Sequence, residues 1–316
     1  MTGQSTNAAT RMQPESGRGR SMLLWGVLFA VLLAAVEYWV GWGRILAAWR
    51  ALSPIQILLA AGLVVTSYLM RTLRIHLHFL SATGGRFALS LRMVLLHNLF
   101  NNLLPMRAGE LSLPLLMKRY FGVRRAETVG ALLWFRFLDL LTLSLIGVAA
   151  LLLWLDSAFA PALLIAPLMA LLAPWLVPRL IAWSALRLPE RWSERLQALR
   201  NGFPQARRQA LINILFTLLN WSIKLGAFAW ILFSLAETSA GAAWLGAIAG
   251  DLSSVLPMQG FAAAGTFEAG VMAVLVPTGT AAEQALSAAI NLHLFLLGLS
   301  LLSGTLALLL GREHVI

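Results

Sequence analysis

Residues 91–121 read LRMVLLHNLFNNLLPMRAGELSLPLLMKRYF, long and apolar enough for a membrane crossing but broken in the middle. Proline removes a backbone donor, and glycine loosens the helix on either side of it. Backbone freed in this way is tolerated at membrane depth only where protein buries it or a wet cavity faces it. Residues 243–276, AWLGAIAGDLSSVLPMQGFAAAGTFEAGVMAVLV, repeat the pattern. Leu104-Pro105-Met106 and Leu256-Pro257-Met258 mark the two breaks, and each is followed by a Gly and a Glu. Two interrupted segments in corresponding positions are the sequence mark of transporter repeats, in which broken helices border a central site.

Composition agrees with a membrane setting. Of 316 residues, 59% are apolar and only 12% charged, with a mean hydropathy of +0.78. A water-soluble domain carries about twice that share of charge, so an ordinary soluble enzyme, a disordered tail and a fibrous repeat are excluded. The absence of cysteine removes disulfide frameworks, iron–sulfur clusters and thiolate zinc sites. The net charge of +11 reflects anionic lipid and membrane orientation rather than nucleic acid, because the basic residues lie between hydrophobic runs.

About 20 apolar helical residues cross the roughly 30 Å hydrocarbon layer. Six runs meet this length: 21–40, 54–70, 129–153, 161–178, 210–235 and 284–310. The first follows a polar leader, residues 1–20, and is read as a retained span rather than a signal peptide, since its apolar stretch exceeds an h-region. The expectation is an all-α integral membrane protein: about six full transmembrane helices, two broken re-entrant helical hairpins, and both termini in the cytoplasm. On this topology 19 of the 24 Lys and Arg lie in cytoplasmic segments, 71–92 among them, and only Arg44 and Arg50 lie outside, a strong positive-inside bias. The halves 54–153 and 210–310 then run in opposite directions as an inverted repeat within one polytopic domain, 21–316. The basic loop 187–208 between them has Leu188, Trp192, Leu196 and Leu199 at helical spacing among arginines, and is expected to form a helix on anionic headgroups.

Ionisable residues inside a span face a bundle interior, a partner or a cavity. Arg136 and Asp139 sit three apart on one helical face and can pair, or Arg136 can meet an anionic headgroup through its planar donor fork. Asn213, Asn220 and Lys224 form one polar stripe; Lys224 is too deep in its span to reach water and is assigned to a cavity. The first hairpin offers Asn98, Asn102, Pro105, Arg107, Gly109 and Glu110. Arg107 begins a half-helix whose free N–H groups favour an anion, and Glu110 can pair with it or cap the helix. The second hairpin offers Pro257, Gly265 and Glu268, with Glu268 at the start of its half-helix. Both signs of charge and several amides suit a phosphate-bearing or zwitterionic headgroup.

At these residues, NLFNNLLPMRAGELSLPLLMKRYFGV, WFRFLDLLTL and LPMQGFAAAGTFEAG, the chain resembles the lysylphosphatidylglycerol synthase transmembrane-region family over roughly 54–310. That family includes the flippase-like part of bacterial multiple-peptide-resistance factors and relatives tied to hopanoid and glycolipid pathways. The resemblance implies a bacterial inner-membrane protein that moves lipids between leaflets, with Asn98, Asn102, Pro105, Arg107, Gly109, Glu110, Arg136, Asp139, Pro257, Gly265 and Glu268 at its functional positions. The stretch to Ile316 holds no soluble aminoacyl-transferring domain, so lysyl-lipid synthesis is not expected of it.

Little points to an enzyme. The five histidines form no HExxH, and no glycine-rich loop precedes either lysine, which removes the usual zinc-hydrolase and nucleotide motifs. No cofactor or metal is expected. The partners expected are membrane lipids, with envelope-lipid biosynthetic enzymes if the protein instead serves as a non-transporting accessory subunit. A membrane-embedded lipid transferase using Glu110 or Glu268 as base is the remaining alternative.

Overall fold

Ser53 starts the first long helix by a reciprocal cap: its hydroxyl accepts from the Gln56 N–H at 3.3 Å, and the Gln56 side chain accepts from the Ser53 N–H at 2.8 Å. Pro54 occupies the first helical position, where a missing N–H costs nothing. In the computed structural model this helix, α1, runs Pro54–His78. The structure describes residues 34, 37–38, 41–154, 179, 190–253 and 261–309. Residues 43–316 form one compact unit, and the preceding chain to Trp42 forms another; the site lies in the former.

The remaining helices of that unit are α2 (Phe87–Leu103), α3 (Ser112–Phe121), α4 (Arg125–Trp154), α5 (Glu190–Asn201), α6 (Arg207–Ala236), α7 (Ala240–Ser253), α8 (Thr266–Leu275) and α9 (Ala282–Leu309), with shorter turns between. No strand occurs among the described residues. Four helices there are long and apolar enough to cross a membrane: Pro54–His78, Arg125–Leu152, Arg207–Ala236 and Ala282–Leu309. They correspond to the expected spans at 54–70, 129–153, 210–235 and 284–310. The other two expected spans, 21–40 and 161–178, lie almost wholly outside the described residues. Leucines such as Leu58, Leu211, Leu302 and Leu309 stand exposed along these helices, as lipid contact requires.

One boundary is corrected. The first of these spans does not end at residue 70: α1 continues for about two more turns, and Arg74, assigned from sequence to a cytoplasmic loop, is only 3% exposed. The helix keeps going because both arginines of this stretch find polar partners inside the protein rather than in water.

Each broken segment folds as an antiparallel helical pair. Leu104 takes the extended conformation that a following proline imposes. Residues Pro105–Leu111 then make a 3₁₀ turn leading into α3. His97 Nδ1 pairs with Ser112 Oγ at 2.8 Å, and Arg92 lies over the Tyr120 ring, so α3 runs back along α2. Gly109 is needed here, since a Cβ would collide with the Phe100 carbonyl and the Asn101 backbone. In the second pair, α7 and α8 meet through small residues: Gly246 faces Leu275, Gly250 faces Val271 and Phe267, and Gly270 faces Ala249 and Ser253. The connection 254–260, with Pro257, lies outside the described residues.

The core has two parts. Val64, Tyr68, Phe228, Leu232, Phe267, Val271 and Leu292 join α1, α6, α8 and α9. Met93, Leu113, Met117, Trp134, Phe135 and Leu138 join α2, α3 and α4. The amphipathic helix expected over 187–208 is present as α5, but it is more than a surface helix. Leu199 and Phe203 pack into the second cluster, and Gly202 lies against Gly130 of α4 so closely that a Cβ on Gly130 would strike the Leu199 carbonyl and one on Gly202 the α4 backbone at Glu127 and Ala131.

Candidate functional site

Asp139 of α4 is the centre of a buried charge network. Its Oδ1 accepts from Arg74 Nη1 at 2.7 Å and from the Trp221 indole N–H at 2.9 Å. Its Oδ2 faces Arg136 Nη1 at 3.4 Å. Arg136 reaches across to the first hairpin, where Nη2 meets Glu110 Oε1 at 2.8 Å. Arg74 also donates to Thr217 Oγ1 at 2.8 Å and stacks over Phe135. A buried charge without a partner costs several kcal/mol, so α1, α4, α6 and the first hairpin are held together by the need of each ion for its neighbours.

A second pair lies beside it. Lys224 Nζ meets Asp251 Oδ1 of α7 at 2.6 Å and sits over the rings of Trp221 and Phe228. On the far wall, Glu268 Oε2 accepts from the Gly265 N–H at 2.8 Å, closing the start of α8, while Oε1 pairs with His293 Nδ1 at 2.6 Å. Gly265 takes φ +84° there, a conformation that glycine adopts at no steric cost.

These groups surround a cavity of about 130 Å³. Arg71, Asn101, Asn102, Arg136, Asp139, Lys224 and Asp251 give its polar lining, and Leu140, Leu143, Phe267, Leu296 and Leu297 its apolar lining. Leu133 and Leu140, on the same face of α4 as Arg136, are 51% and 46% exposed. The polar pocket therefore has an edge on the flank that α4 turns outward.

Arg71 differs from the other cations. Its Nη1 donates to Asn98 Oδ1 at 2.7 Å, its Nε has no hydrogen-bond partner, and among the described residues it forms no ion pair. Asn220, 1% exposed on the stripe with Lys224, leaves both amide atoms unpartnered.

Of the residues singled out in the sequence, Asn102, Arg136, Asp139 and Lys224 line the cavity, Glu110 touches it through Arg136, and Asn98 through Arg71. Asn102 donates to Ser300 Oγ at 2.6 Å. Gly109 and Gly265 shape turns, Pro105 opens the 3₁₀ turn, and Glu268 caps α8. Glu110 meets Arg136 of another helix; the pairing with Arg107 that was also expected of it falls on a side chain outside the described residues, as does Pro257. Sequence reasoning missed Arg71, Arg74, Trp221 and His293. A clue was present for the first two, because Arg71 and Arg74 continue the helical spacing of Tyr68.

Fold and site define a multi-pass helical membrane protein with a charged cavity buried among its spans. The lysylphosphatidylglycerol synthase TM region family matches residues 22–304. The chain belongs to that family, which ties it to membrane-lipid function. No curated protein and no solved structure matches it.

Proposed function

We propose that this protein is a lipid translocase of the bacterial inner membrane, flippase-like or scramblase-like, which carries a phosphate-bearing or zwitterionic headgroup through the cavity while the acyl chains stay in the bilayer. The observation that carries this is a cation, Arg71, half-buried on the wall of the cavity without a counter-ion among the described residues. Such a group calls for an anionic ligand. The exposed leucines flanking Arg136 on α4 give a lipid a lateral way in. The protein acts as a transporter and not an enzyme, and it needs no cofactor.

The proposed topology has six crossings and two re-entrant hairpins of opposite entry, with both termini cytoplasmic. It is supported by helix length. At 1.5 Å per residue, the ten-residue α3 and α8 each rise about 15 Å, half the hydrocarbon depth. Each can go to mid-bilayer and not across.

The test is transbilayer movement of fluorescent phospholipids in proteoliposomes, read by a membrane-impermeant quencher. The wild-type chain moves lipid well above protein-free vesicles, and Arg136→Gln lowers the rate by at least about tenfold, equivalent to 1.4 kcal/mol on the barrier. Vesicles in which no phospholipid crosses would leave the accessory-subunit role. Appearance of a new lipid would make the protein a transferase.

A further inference from the structure

Three cations, Arg71, Arg136 and Lys224, line the cavity against two carboxylates, Asp139 and Asp251, while Glu268 on the far wall is taken up by the Gly265 N–H and His293. Asp139 serves Arg74 and Arg136, Glu110 serves Arg136, and Asp251 serves Lys224. Arg71 borders the same cavity and is left over among the described residues. Four of the unmet hydrogen-bonding groups around it are donors, and the carboxylate oxygen among the rest, Glu110 Oε1, is ion-paired with Arg136. Arg71 Nε, Arg74 Nε, Arg136 Nε and Asn98 Nδ2 are buried donors with no acceptor. A smaller niche of about 20 Å³, enclosed by Arg71, Arg74, Arg136, His97 and Asp139, adjoins this wall. It brings three guanidinium groups around one carboxylate.

A phosphodiester has the complementary chemistry. It brings one negative charge and non-bridging oxygens that accept from a guanidinium fork. An amine on the headgroup does not. Asp139 already accepts from three donors on its two oxygens, and the Lys224 ammonium lies 2.6 Å from Asp251. An incoming ammonium would have to displace a resident cation and would then face Arg71 across a poorly screened space, where like charges repel far more than in water. Asn101 and Asn102 on the same wall offer amide donors and acceptors, which suit hydroxyl groups.

We propose that the cargo is a phospholipid of net single negative charge with an amine-free, hydroxylated headgroup, and that Arg71 takes its phosphate and excludes aminated headgroups. This narrows the cargo of the translocase proposed above and rests on it, so binding and movement are measured separately.

The full chain is purified in detergent and offered phosphatidylglycerol, phosphatidylethanolamine, lysyl-phosphatidylglycerol and inorganic phosphate, with bound lipid read by native mass spectrometry. The same lipids, fluorescently labelled, are then followed across proteoliposomes. Phosphatidylglycerol binds and moves at least about tenfold better than either aminated lipid. Arg71→Gln brings that preference below about threefold, and Arg71→Lys keeps most of it. Equal or better handling of an aminated lipid overturns the proposal and leaves translocation standing. Selective binding of phosphatidylglycerol without movement overturns translocation and leaves the headgroup assignment standing. Inorganic phosphate bound as tightly as the lipid makes the ligand a soluble anion and overturns the lipid assignment. A preference unchanged in Arg71→Gln removes Arg71 from its role, and if that variant does not fold, the wild-type preference alone decides.

Discussion

The two broken hairpins carry the same Leu-Pro-Met, Gly and Glu signature, yet they use it differently. In the first, Glu110 reaches Arg136 of α4. In the second, Glu268 turns back to the Gly265 N–H at the start of its own helix and reaches His293 with its other oxygen. The α2–α3 pair is joined by polar and cation–π contacts, whereas α7 and α8 meet glycine against side chain along their length. A shared motif therefore does not fix the role of its glutamate. The first hairpin contributes to the charge network of the cavity, and the second is a close-packed wall that brings Asp251 to Lys224.

Several experiments would break or sharpen this contrast. The largest effect expected is all-or-none. The chain has no cysteine, so single cysteines at Ser81 and Arg124, flanking the first hairpin, should label from one side of the membrane, and those at Ser239 and Ala281, flanking the second, from the other. Labelling of Ser81→Cys and Arg124→Cys from opposite sides would make the first hairpin an ordinary crossing and end the inverted repeat.

The glycines come next. A Cβ at Gly109 meets immovable backbone, whereas one at Gly250 meets Val271 Cγ2 at 2.7 Å and the Phe267 ring at 3.1 Å, which are side chains able to shift. Gly109→Ala should cost about 3 kcal/mol and Gly250→Ala about 1 kcal/mol, the upper and lower ends of the overpacking range, read as thermal unfolding in detergent. Equal losses would mean that the hairpins are equally rigid.

The glutamates separate the roles further. Glu110→Gln should change stability by less than about 1 kcal/mol, because the pair with Arg136 is partly exposed, yet slow lipid movement by about tenfold. Glu268→Gln should lose about 1 kcal/mol of helix capping and keep more of the transport. The smallest effect is at Ala263, which holds φ +57°. Replacing it with glycine should stabilise the protein by up to about 1 kcal/mol, since only glycine adopts that region freely.

Much of the architecture was legible from hydropathy and from the proline and glycine breaks, because both act locally along the chain. The Arg136–Asp139 pair was also legible, being three residues apart on one helix. Arg71 and Arg74 were not. Four arginines between 71 and 92 look like a cytoplasmic loop to any window that adds up polarity, and only partners on other helices reveal Arg74 as buried and Arg71 as half-buried. Lys224 with Asp251, and Glu268 with His293, are separated by 27 and 25 residues, and no periodicity announces such a meeting. His293 shares its face of α9 only with Ser300, seven residues on, too sparse a polar pattern to mark either as a site residue.

Where Gly202 seats against Gly130, two main chains touch with no cushion of side chains between them. Such a joint cannot shear by rotamer changes; it either holds or comes apart. α5, with Arg195 and Arg200 exposed, is thereby clamped to α4 less than two turns from Arg136. Any displacement of the basic helix is therefore expected to reach α4 as a rigid movement close to Arg136 rather than fading in soft packing.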